Sequence, residues 1–139
     1  MTNNQLNLST GLVATGHPLA IQGYDPVSYF TETAPQRGLA SIAVVENGAT
    51  YYFASQANAD AFSKTPAKYL PTFGGFCAYG VSVSKKFDGD PTIYKIVDGR
   101  LHLNLNPEIH QAFLADLTGA IGKADKAWTQ IADKSVGDL

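Results

Sequence analysis

The chain has 139 residues, 45% of them apolar and 16% charged, with a net charge of −2, one Cys, seven Tyr and seven Phe. That length carries one domain with a core and is short for two, and the composition is that of a compact folded chain, not a disordered or fibrous one. With no run of Lys or Arg the chain lacks the clustered charge that nucleic acid requires, and no stretch approaches the roughly 20 apolar residues of a membrane-spanning helix.

Residues 1–18 are rich in Asn, Thr and Gly without periodicity and are expected to form a mobile or draped arm, with residues 19–139 as a single folded domain. The polar start shows neither a basic opening nor an apolar stretch, so the expected location is cytoplasmic, or periplasmic if a signal peptide has been removed. Residues 19–21 suit a short strand. Asp25-Pro26 then reads as a helix start, the Asp accepting an orphan amide hydrogen and Pro26 filling the first turn, with the helix over residues 27–31.

A hairpin follows. Residues 40–45 and 50–53 flank Asn47-Gly48, a pair that tolerates the positive φ of a tight turn. Ser55 caps a helix expected to bury Ala57, Ala61 and Phe62 and to stop before Thr65-Pro66. Residues 66–69 add a turn, and residues 73–83 read equally as a helix or as an irregular buried segment. Gly74-Gly75 there predicts that a backbone passes close by. After a polar loop, residues 92–97, Asp98-Gly99 and residues 101–105 make a second hairpin. Asn106-Pro107-Glu108 repeats the helix-start signature. Ile109, Ala112, Phe113, Leu117, Ile121, Ala124, Trp128 and Ile131 form one apolar stripe, with a bend expected at Gly119 and Gly122. No internal repeat is visible. The pattern predicts α+β: a small antiparallel sheet built from hairpins, packed against helices, with a C-terminal helical pair.

Three runs hold most of the aromatic residues and the cysteine: residues 20–30 (AIQGYDPVSYF), 51–55 (YYFAS) and 73–82 (FGGFCAYGVS). With the Asn-rich strand and the Ala/Trp helix after them, they resemble the small bacterial YHS-domain proteins from residue 19 to about residue 131. The resemblance implies the fold, and many such proteins are exported. It also implies kinship to cysteine-rich metal modules of heavy-metal transporters, whose thiolates suit copper or zinc. Where those modules carry cysteine this chain has Ser28 and Ala54, so their thiolate site does not carry over.

The remaining candidates for copper or zinc are Cys77 with His102, His17 and Asp25, beside His110, Asp88 and Asp90; their spacing contains no paired ligand motif. Cys77 reads first as a small buried residue among Phe76, Ala78 and Tyr79, and second as a ligand or reactive thiol. As a nucleophile it needs a base, and His102, on the strand face that also carries Asn104, is the partner chosen on paper. A solvated strand histidine is the simpler account of His102. Asp25 reads first as a helix cap, and Asp88-Gly89-Asp90-Pro91 as a surface turn lacking the further oxygens of a calcium loop. Tyr24, Tyr79 and Phe76 are candidates to line a small-ligand pocket beside Cys77. The expected function is a non-catalytic YHS-type module binding a metal or small ligand at Cys77. The alternatives are a scaffold acting through a protein partner and a Cys77/His102 thiol enzyme.

Overall fold

The structure, a computed structural model, describes residues 3–139 and is α+β. Strands β1 (Leu39–Glu46) and β2 (Ala49–Phe53) pair antiparallel across Asn47-Gly48; β3 (Asp90–Val97) and β4 (Arg100–Asn104) do so across Asp98-Gly99. Both turns use consecutive positive φ angles, 51° and 79° in the first and 52° and 75° in the second, which Asn, Asp and Gly adopt at little cost. The expected sheet is thus divided into two separate two-stranded hairpins.

The helices are α1 (Ser28–Thr31), α2 (Gln56–Lys64), α3 (Ala78–Ser82), α4 (Pro107–Ala115) and α5 (Leu117–Ile131). Ser55 caps α2 by accepting from Asn58 N at 3.1 Å, and Asn106 caps α4 by accepting from Ile109 N at 2.8 Å. In α2 the buried face is Ala59 and Phe62 while Ala57 is exposed, a correction to the expected face. The bend in the C-terminal stripe falls at Asp116, not at Gly119 and Gly122. Asp116 leaves helical geometry at φ −142°, ψ 64° and its carboxylate accepts from Gly119 N, so a new helix starts there. Residues 19–21 are not a strand: Leu19 and Ala20 make single bridges, and Ile21–Gly23 turns through three positive φ angles.

A shift of 51 residues carries the first hairpin onto the second. Leu39↔Phe53 and Ala43↔Tyr52 with their intervening bulge correspond to Asp90↔Asn104 and Tyr94↔Leu103 with theirs, and the turns, the caps Ser55 and Asn106 and the following helices keep the same spacing. One more residue of offset relates the segments before them. The positive-φ run Ile21, Gln22, Gly23 corresponds to Phe73, Gly74, Gly75, and the bond Asp25 N to Gln36 O (2.8 Å) to Cys77 N to Phe87 O (2.8 Å). The chain is therefore an internal structural repeat of about residues 21–64 and 73–115, which corrects the reading that none exists. Few identities mark it: Gly23/Gly75, Gly38/Gly89, Ile42/Ile93, Gly48/Gly99, Ala61/Ala112 and Phe62/Phe113. The three glycine pairs are positions where backbones touch or turn, and the two phenylalanines are fully buried. The remaining positions face different surroundings in the two halves.

Two hydrophobic clusters result, one around Val27, Tyr51, Phe53 and Phe62, the other around Phe73, Phe76, Val81 and Phe113 with α5. β4 stands between them. Leu101 and Leu103 face the first, while His102 lies against Phe73 and Phe113 of the second. Residues 3–18 are draped over the body: Leu8 bridges Ala20, Asn7 N donates to Gly74 O (2.9 Å) and Ser9 N to Leu19 O (2.9 Å). Among the described residues no helix is long and apolar enough to cross a membrane.

Candidate functional site

Cys77 begins α3 and is fully buried. Its Sγ accepts from Gly80 N (3.4 Å) and donates to Asn104 Oδ1 (3.5 Å), an oxygen that also accepts from Tyr79 N (3.1 Å). With Oδ1 so engaged, Asn104 Nδ2 donates to His110 Nδ1 (2.9 Å), leaving the His110 proton on Nε2. The order is thiol, amide, imidazole. An amide takes no proton at neutral pH, so it insulates the thiol from the imidazole. Burial pushes the Cys77 thiol pKa up, only partly offset by the amides of Gly80, Leu105 and Tyr79; burial, and then Lys95, lower that of His110. Cys77 is held as a neutral thiol.

The histidine tied to Cys77 is thus His110 and not His102. Its position follows from the Asn106 cap, because His110 N donates to Asn106 O (2.9 Å) and the first turn of α4 folds back over Asn104. His102 is not solvated either: it has no exposed surface, because β4 is covered on both faces. Thr72 Oγ1 donates to Leu101 O (2.8 Å), so it accepts from His102 Nδ1 (2.8 Å), which fixes the proton on Nδ1. His102 Nε2 then lies buried without a hydrogen-bond partner among the described residues. Burial first, then the charge of Arg100, lower its pKa to about 4.

Asp25 is buried and saturated. Oδ1 accepts from Val27 N (2.8 Å) and Ser28 N (3.3 Å), and Oδ2 from Ala54 N (2.8 Å) and Asn58 Nδ2 (2.7 Å). The backbone amides of Ser28 and Ala54 thus both donate to the Asp25 carboxylate. Pro26 is buried beside it. His17 is exposed in the arm, apart from Cys77, His102 and Asp25. Among the described residues no group of three or more His, Cys, Asp or Glu is arranged to hold a metal ion. Tyr24 is half-buried under the Arg37 guanidinium (4.9 Å), and Tyr79 is half-buried on α3.

A cleft opens elsewhere. It has a volume of about 980 Å³ and runs between the arm and the body. Asn7, Leu8, Ser9, Leu12 and His17 line it from the arm, and Gly48, Phe76, Lys86, Asp88 and Val136 from the body. Of the residues singled out in the sequence it takes in His17, Asp88 and Phe76. A smaller cavity of about 260 Å³ lies along residues 7–10, against Gln22, Gly75 and Asp88. The arm is seated by Gly74: a Cβ there would fall on the carbonyl oxygen of Gln5, so the close backbone approach predicted at Gly74-Gly75 is made by the chain's own arm. With its amide turned so that both ends are satisfied, Asn7 donates to Asp88 Oδ1 (3.1 Å) and accepts from Gly89 N (3.3 Å).

Lys86, beside Lys85 in what reads as a solvated loop, is only 4% exposed. Its Nζ donates to Asn4 O (2.6 Å), Ala132 O (2.8 Å) and Lys134 O (2.7 Å), and sits 5.2 Å from the ring centres of both Phe76 and Trp128. No sequence signal separates it from an ordinary surface lysine. No family model, curated protein or solved structure matches the chain.

Proposed function

We propose that the protein is a non-catalytic binding module that holds a small molecule in the cleft between residues 3–18 and the second repeat. The observation that carries this reading is the cleft itself. About 980 Å³ is at the upper end of the usual range for ligand pockets, and its walls combine apolar surface from Leu8, Leu12, Phe76 and Val136 with polar groups of Asn7, Ser9, His17 and Asp88. The YHS resemblance agrees with a binding role but brings no site with it, since its cysteine positions are Ser28 and Ala54 here. The insulated thiol of Cys77 favours binding over thiol chemistry.

The test is a melting-temperature screen of disaccharides, alkyl diamines and medium-chain carboxylates against the wild type and Ser9→Trp, which fills the cleft from the arm. A ligand at 100 times its Kd stabilises by about 2.7 kcal/mol, roughly 9 °C for a chain of this size. Compounds from at least one class are expected to raise the wild-type melting temperature by that order and to leave Ser9→Trp unmoved. Equal shifts in both proteins, or none with any class, would count against the cleft.

A further inference from the structure

Three of the segments that line the cleft are distant in sequence: the arm, the loop carrying Lys86 and Asp88, and the C-terminal turn after α5. All three meet at one ammonium group. Lys86 holds the arm through Asn4 O and the C-terminal turn through Ala132 O and Lys134 O, using all three of its hydrogens. Asn4 Nδ2 and Gln5 Nε2 add bonds to Asp133 O (3.0 Å) and Asp133 Oδ1 (2.6 Å). Charge-assisted bonds from an ammonium held between two aromatic faces are stronger than neutral ones. The arm is also held at residues 6–9, where Leu6 and Leu8 pack on the first cluster and Asn7 N and Ser9 N donate to Gly74 O and Leu19 O. Gly11 and Gly16 have positive φ (87° and 85°) with nothing within 4 Å of the place of a Cβ, which suits the ends of a hinge.

We infer that Lys86 is a clasp that makes the arm and the C-terminal turn open and close together as the gate of the cleft. The inference rests on reading the cleft as the ligand site and adds its regulation. The arm's opening is a local event, separable from unfolding of β4. A ligand meets both walls only in the closed form, so its binding is coupled to docking of the arm.

Two full-length variants test it by hydrogen exchange without any ligand. Lys86→Met keeps the stem between Phe76 and Trp128 but offers no donor. The expected result is at least tenfold faster exchange of the Asn7, Ser9 and Lys134 amides with that of Leu103 in β4 unchanged. Gly74→Ala lifts the arm from a different point without touching Lys86, and the clasp predicts that Lys134 exchange rises there too. If the arm and β4 accelerate by the same factor in Lys86→Met, Lys86 is a general packing residue and the inference fails. If Gly74→Ala frees the arm and leaves the C-terminal turn unmoved, the coupling is absent and the inference fails, whatever becomes of Lys86→Met. Neither outcome alters the ligand screen, so loss of the clasp and loss of the binding site are told apart.

Discussion

Asp25 and Cys77 occupy equivalent places in the two repeats, and comparing them shows what each residue is for. Asp25 stands three residues before α1 and Cys77 caps α3, and both accept backbone amides there. Asp25 has four donors, and around Cys77 the amides of Gly80, Leu105 and Tyr79 converge in the same way. Cys77→Asp is therefore expected to fold, with the Asn104 amide turned to donate, and to melt within about 5 °C of the wild type. Cys77→Leu, which removes the acceptor and adds bulk, is expected to melt lower than Cys77→Asp. Thermal denaturation followed by circular dichroism compares them, and a collapsed Cys77→Asp beside a stable Cys77→Leu would refute the equivalence. The bond of the Asp25 carboxylate to the Ser28 amide was legible in Asp25-Pro26, although α1 starts at Ser28 with Val27 at its cap and Pro26 lies before it. The burial of His102 was not, because alternation along β4 tells which residues share a face and not whether that face meets water.

His102 also makes a pH prediction. Its folded pKa lies near 4 and its unfolded one near 6.5, so the unfolded chain binds the proton first as pH falls. Stability is then full above about pH 6.5 and is lost progressively down to about pH 4, by up to roughly 3 kcal/mol from this residue. Arg100, Asp125 and His110 titrate or carry charge nearby and contribute a background. Urea unfolding at pH 7 and pH 4.5 should show a smaller loss for His102→Phe than for the wild type. An equal loss in the two proteins would assign the acid sensitivity elsewhere.

At the scale of elements, local chemistry wrote what the sequence showed: both hairpin turns, the caps Ser55 and Asn106, and the C-terminal stripe. The repeat was hidden because it is a repeat of backbone. Gly38 and Gly89 make the point, since a Cβ on Gly38 would overlap the carbonyl carbon of Tyr52 and one on Gly89 the carbonyl oxygen of Gly75. No neighbouring residue announces that crowding, so each glycine reads as an ordinary loop position. Gly38→Ala and Gly89→Ala are each expected to destabilise by about 3 kcal/mol in urea, whereas Gly122→Ala, with open space inside α5, is expected to stabilise by up to about 1 kcal/mol. If Gly38→Ala and Gly89→Ala differ severalfold, the two hairpins are not seated alike.

At the scale of the whole molecule, the repeat supplies two hairpin-and-helix units, and the arm and the C-terminal turn close over one side of them. The α+β class follows from the pattern of elements. The cleft does not, because its walls come from residues 3–18, the turn at Gly48, the loop at Lys86 and residue Val136, which meet only after folding. The sequence drew attention to Cys77, yet folding buries that residue in a satisfied polar chain and opens the cleft elsewhere. The most direct test is a titration of the nitrogen-15-labelled protein, followed by amide correlation spectra, with the compound that gives the largest Ser9-dependent melting shift. The cleft reading predicts saturable shifts at Asn7, Gly48, Lys86, Asp88 and Val136, with Cys77, Asn104 and His110 unmoved. Shifts centred on Cys77, Asn104 and His110 instead would contradict it and return the site to the buried thiol.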